Sequence, residues 1–315
     1  MRLYSLSFGT FAIAVGLLGG AAIAQAASET WVSGTGTDTG TCPITAPCRT
    51  FSFAHGQTNN NGAINVLTSG SFGPLTITKP ISIVAHGVEA LINAAANGAG
   101  IKIQAGANAV VSLRGLTIDL RGTDNIGISF VSGGALHVHD SVFRRASHGI
   151  RFAPASGTPE LYVADSLIAD ANTDGINVSP SGSGGARVVL DRVRVETSSG
   201  TGMLFSGNTT TGAITATVRD SAAAGNGASF GSGIAAVENG SGTVNVMIDR
   251  TAVVNNNTGV FAFGAGATIR IGDSTVTGSN SGLSAGNGGA IASYGTNQVN
   301  GNVADGDPTS TIAMK

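Results

Sequence analysis

Apolar and polar residues alternate along this chain in short runs that return at a near-constant interval. The clearest run spans residues 136–152, LHVHDSVFRRASHGIRF. It reads as an apolar residue two before an Asp, an apolar pair, a polar turn, then Gly and a large aliphatic residue. The Asp recurs as Asp140, Asp165, Asp191, Asp220, Asp249 and Asp273, in steps of 25, 26, 29, 29 and 24 residues. The Gly–aliphatic pair keeps pace at Gly127–Ile128, Gly149–Ile150, Gly175–Ile176, Gly202–Met203, Gly233–Ile234, Gly259–Val260 and Gly282–Leu283. A fixed period in this range marks stacked supersecondary units.

Neighbours in a strand point to opposite faces, so columns that are apolar in every repeat are expected to point inward. One such column is Val138, Val163, Val189, Val218, Met247 and Ile271, each two residues before its Asp. Another follows each Gly: Ile128, Ile150, Ile176, Met203, Ile234, Val260 and Leu283. Two places on stand Phe130, Phe152, Val178, Phe205, Ala236, Ala262 and Ala285, a column that tapers to Ala.

No segment sustains a 3.6-residue period and Gly recurs throughout, which excludes a helical repeat. A propeller blade needs a longer period, and the GGxGxD calcium repeat is absent. The pattern predicts an all-β, single-domain right-handed parallel β-helix of about 8–10 coils, a rod roughly 40–50 Å long at about 4.8 Å per coil. Residues 62–302 are expected to form it and residues 27–61 to cap it. The cap should contain one short strand and a helical turn started by Thr50. Residues 303–315 are expected to fray.

Residues 1–26 read as a secretory signal: Arg2, an apolar core from Phe8 to Ala24, and the small-x-small site Ala24-Gln25-Ala26. No later stretch is long and apolar enough to cross a bilayer as a helix. The chain is therefore expected in an exported place, periplasmic, extracellular or cell-surface. There, Cys42 and Cys48 of CPITAPC are expected to pair as a disulfide. With no His beside them they make a poor metal site. Charged residues are only 11% of the chain and the net charge is −2, so the basic footprint of a nucleic-acid binder is missing. No signature of nucleotide, haem, zinc or phosphate-loop chemistry is present, and no cofactor or metal is expected. Nothing in the sequence sets an oligomeric state.

The order TWVSG (Thr30–Gly34) through APCRTF (to Phe51), FGPLTITKPISI (Phe72–Ile83), the Asp–Ser coils and SYGTNQVNGN (Ser293–Asn302) resembles the pectate-lyase-like right-handed parallel β-helix proteins. Small secreted bacterial members are particularly similar in texture. The resemblance covers nearly the whole chain after residue 26 and implies the fold. It is weak for activity, because that superfamily includes lyases, hydrolases, epimerases and adhesins.

Three polar features are candidate chemistry. Asn172-Thr173-Asp174-Gly175 is similar to the first motif of the polygalacturonase branch. The Asp pair, Gly-His-Gly and Arg-Ile-Lys that should follow it are missing, so it reads as the turn before a Gly–aliphatic strand. The Asp column could hold calcium, but one Asp per coil, each followed by Ser or Arg, reads as repeated turn capping. The densest cluster is His137, His139, Asp140, Arg144, Arg145, His148 and Arg151. Its His and Arg residues are the candidate substrate-binding residues, because Arg recognises carboxylates bidentately. Against this stands a solvated face, with Arg114 and Asp140 on adjacent coils as a surface pair.

No catalytic residue is assigned. The expected function is a secreted or surface-associated protein, non-catalytic, that binds extracellular polysaccharide or mediates adhesion. The alternative is a divergent polysaccharide lyase or glycoside hydrolase acting on uronate-containing chains.

Overall fold

The computed structural model describes residues 27–96, 98–121, 124–228 and 230–313. The proposed signal, residues 1–26, lies outside the described residues. Each coil gives one strand to each of three parallel sheets, of twelve (sheet A), ten (sheet B) and nine (sheet C) strands. The result is a right-handed parallel β-solenoid with a single helix among the described residues, Phe51–Gln57. That helix is the expected turn. Thr50 caps it, its hydroxyl accepting the Phe53 N–H at 3.2 Å. The strand Ala27–Val32 leads into it and pairs with Thr58–Val66, and Cys42 is bonded to Cys48.

The core is a set of ladders. Ile101, Ile128, Ile150, Ile176, Met203, Ile234 and Val260 follow one another in register down sheet C and are fully buried. Phe130 and Phe152 stack at 4.2 Å in the neighbouring column. The Gly before each aliphatic residue has a steric cause. A Cβ at Gly175 would lie 2.2 Å from the Val195 side chain, and one at Gly149 2.5 Å from that of Ile168. At these places the chain turns from sheet B into sheet C too tightly for any side chain.

Register corrects the Asp column. Val163 pairs with Leu190, Leu190 with Val218, Val218 with Ile248 and Ile248 with Ile271. Leu190 and Ile248 are therefore the inward residues, while Val189 and Met247 face outward. The column that turns each coil from sheet A to sheet B is Asp140, Asp165, Arg192, Asp220, Arg250 and Asp273. All six have a left-handed backbone, with φ between 45° and 53°. In two coils the turning residue is the Arg after the Asp, so counting from Asp slipped by one.

Two ends also differ from expectation. Ala285, in the last strand of sheet C, is exposed; the chain beyond it returns only as Ala304 and Asp305, which bond to Gly282 and Leu283 and leave Ala285 uncovered. Beyond residue 302, where fraying was expected, Ser310–Thr311 pairs in parallel with Ala292–Ser293 and becomes the last strand of sheet A. Main-chain hydrogen bonds join Thr309 and Ile312 to the same strand.

Candidate functional site

Fifteen residues are more than half a coil, so the compact His/Arg cluster wraps around the rod instead of gathering. His137 and His139 stand on the outer face of sheet A, their rings against Tyr162 at centroid distances of 6.1 and 5.2 Å. Burial first, then the charges of His137 and Arg114, lowers the His139 pKa. Arg144 is exposed on sheet B. Arg145, at the left-handed turn that follows, chelates Asp119 of the preceding coil. Its hydrogen bonds hold the Asp119 carboxyl below the usual range. His148 and Arg151 share a different neighbourhood, just before and at the centre of the coil's sheet C strand Ile150–Phe152.

The corner between sheets A and B is the most charged line on the molecule, and its charges pair with one another. Arg114 meets Asp140 at 2.8 Å, the expected surface pair, although Arg114 is in register with His139 and not with Asp140. Arg192 chelates Asp165 through Nε (2.6 Å) and Nη2 (2.9 Å) and reaches Asp191 at 3.0 Å. Arg219 holds the other Asp191 oxygen at 2.9 Å, and Arg250 bridges Asp220 and Asp249. Hydrogen bonding to the guanidinium lowers the Asp165 and Asp220 pKa values. Beneath this line runs a buried hydroxyl ladder. Ser141, Ser166, Ser221, Thr251 and Ser274 each donate to the carbonyl two residues back, at 2.7–2.9 Å. Ser141, Ser166, Ser221 and Ser274 also accept an N–H from the preceding coil, at 3.1–3.2 Å. The Asp column is thus a capped and paired corner, as the turn-capping reading expected.

The outer face of sheet C is built differently. One column in register reads Lys102, Ser129, Arg151, Asn177, Leu204, Ala235, Phe261 and Ser284. Lys102 and Arg151 have no ion-pair partner among the described residues, because the residues beside them in this column are uncharged. Further along, Leu204 and Phe261 flank the buried Ala235, and Phe261 stacks on Phe263 at 5.7 Å. Phe230, on the loop leading into this sheet, is 84% exposed.

At the polar end, Asp174 sits one coil from His148, both immediately before the Gly–Ile pair that opens a sheet C strand. Asp174 is buried; its Oδ1 accepts the Thr201 N–H at 2.9 Å and its Oδ2 accepts Asn177 Nδ2 at 2.7 Å. His148 Nε2 stands 3.6 Å from the same Oδ2. Burial pushes the Asp174 carboxyl up, but His148, Asn177 and Thr201 together outweigh it, so the pKa falls below its ordinary value. The Asn177 Oδ1 is buried and lacks a hydrogen-bond partner. The turn reading of Asp174 therefore holds, and its pairing with His148 was missed. Both residues precede a Gly–Ile pair, so the repeat itself carried that signal. The aromatic row was also missed, although an inward Val260 and Ala262 require Phe261 and Phe263 to face out.

No family model and no curated protein matches this sequence. Among solved structures the chain is similar to the pectate lyase Pel9A, at 15% identity over 82% of this chain and 76% of that one, with a TM-score of 0.55. It is also similar to the A-module of the Azotobacter vinelandii mannuronan C-5 epimerase AlgE4, at 13% identity over 81% and 91% of the two chains and a TM-score of 0.41. With three parallel sheets, an inward aliphatic ladder and this likeness to Pel9A, the protein has the pectate-lyase-like parallel β-helix fold.

Proposed function

We propose that the outer face of sheet C binds an extended, uronate-bearing polysaccharide outside the cytoplasm, without cleaving it. The observation that carries this reading is the single register line on which Lys102 and Arg151, both without ion pairs, continue into Leu204 and Phe261, with Phe263 stacked on Phe261 beside the line. From Lys102 to Phe261 is six strand steps, about 29 Å at about 4.8 Å each, which suits a chain molecule better than a small one. Guanidinium and ammonium groups recognise carboxylates, and an aromatic face stacks on the apolar face of a sugar ring. The disulfide supports an oxidising compartment, and no helix among the described residues is long and apolar enough to cross a membrane. Pel9A is a pectate lyase, which supports an acidic polysaccharide as the ligand class. Binding without turnover is favoured because the Asp174 carboxylate is buried and turned towards Thr201 and Asn177.

A cleaving enzyme is the second reading, and the His148–Asp174 contact close to Arg151 favours it, since lyase and hydrolase chemistry alike need acid–base groups beside the bond that breaks. One experiment separates the two. Residues 27–315 are run through gels containing polygalacturonate, alginate or a neutral glucan, and the same mixtures, with and without calcium, are assayed for unsaturated uronates and new reducing ends. Salt-sensitive retardation by the uronate chains alone, with no products, is the expected result. Absence of retardation in every gel overturns polysaccharide binding. Products that disappear in His148→Asn establish cleavage instead.

A further inference from the structure

We infer that the C-terminal end of the A–B corner is a binding site for a small organic ammonium group carrying a short apolar stem. The site exists because one rung of an outward column is missing. Down sheet A this column reads Arg114, His139, Ala164, Asp191, Arg219, Asp249 and Gly272, and Tyr294 follows one coil later. Gly272 carries no side chain, and a Cβ there would stand 3.2 Å from the Tyr294 ring. A recess of about 600 Å³ opens at this place, lined by Met247, Asp249, Asp273, Tyr294, Thr296 and Ile312 among others. That volume is in the range of small-molecule sites.

The wall chemistry selects the ligand class. Tyr294 supplies an aromatic face, while Met247, Ile312 and Ala313 supply apolar contact. Ile312 is held in place by its N–H, which donates to the Ser293 carbonyl at 2.9 Å. Two carboxylates face the recess, and they differ. Asp249 is paired with Arg250, whose guanidinium also chelates Asp220. Asp140, Asp165 and Asp220, in the same turning column as Asp273, are each paired with an Arg of a neighbouring coil. Asp273 has no ion pair within 4 Å among the described residues: Arg250, its neighbour in the column, is engaged by Asp220 and Asp249 and acts on Asp273 only at longer range, and the next coil places Gly295 beside it. Its backbone is nonetheless fixed: its N–H donates to Thr296 Oγ1 at 2.9 Å. A carboxylate with no close ion pair, beside an aromatic face and an apolar wall, is complementary to an alkylammonium, through charge and cation–π attraction together.

The test uses residues 27–315 with methyl-labelled Met and Ile, titrated with n-butylammonium and, separately, with its uncharged analogue n-butanol. The inference predicts saturable shifts of the Met247 and Ile312 methyl signals by butylammonium, at least tenfold tighter than by butanol. Asp273→Asn should weaken butylammonium at least tenfold. Asn tolerates the left-handed backbone at φ 49°, so this variant keeps its turn. Asp220→Asn, in the same column but outside the recess, should leave the affinity unchanged. Equal binding of butanol, an unaffected Asp273→Asn, or no saturable shift at either methyl overturns the site.

Discussion

The A–B corner and the outer face of sheet C are made by the same repeat from the same kinds of polar residue, yet one is closed on itself and the other is open. At the corner, a left-handed residue recurs once per coil. A carboxylate on one coil faces a guanidinium on the next at Asp165–Arg192 and at Asp220–Arg250. Those charges are spent on each other, and the hydroxyls beneath them satisfy the main chain of the turn. On sheet C the residues beside Arg151 in its column are Ser129 and Asn177, which offer no charge. The density of charged residues along a sequence therefore does not locate a site in a solenoid. What locates it is whether the neighbouring coil supplies the partner.

Substitutions can break this contrast, and the largest effects belong to the interior that both regions share. Phe152→Ala removes one ring of the Phe130–Phe152 stack and should cost about 3–5 kcal/mol, read as a lower urea midpoint. Asp191 is 3% exposed and is held by Arg192 and Arg219, both half-exposed. Asp191→Ala should cost about 2 kcal/mol by urea denaturation while leaving polysaccharide retardation unchanged. A smaller effect comes from the helix that precedes the coils. Burial and Lys79 push the His55 pKa down to about 4 from 6.5. Its folded value lies below its unfolded one, so the stability it contributes is complete above about 6.5 and is lost as pH falls towards 4. With partial exposure discounted, the loss should be about 1 kcal/mol, and His55→Gln should flatten that part of a midpoint-against-pH curve. Smallest of all is Asp220→Asn at the exposed corner, expected to leave the midpoint unchanged within error in a thermal scan.

The fold was legible because a β-helix writes its core as columns. Ile128, Ile150 and Ile176 repeat after Gly at positions where stacking forces an inward aliphatic residue. The slip at Val189 and Met247 shows the limit of that legibility. Both neighbours of Leu190 and of Ile248 are themselves apolar or acidic, so alternation alone does not choose the inward set, and only pairing with Val218 does. The candidate site was read less well for a related reason. His137 to Arg151 looked like a cluster because those residues are close along the chain, whereas closeness in a solenoid is measured one coil apart. His148 and Asp174 are 26 residues apart in sequence and side by side in space. Lys102, Arg151 and Phe261 share a line for the same reason.

The most direct measurement is calorimetric titration of polygalacturonate into residues 27–315, a Lys102→Ala/Arg151→Ala variant of the open face and an Arg192→Ala/Arg250→Ala variant of the closed corner. The account predicts that the face variant binds at least tenfold more weakly than the parent and that the corner variant binds like it. A corner variant that loses binding while the face variant keeps it would contradict the account, and would place the polysaccharide on the charged line between sheets A and B.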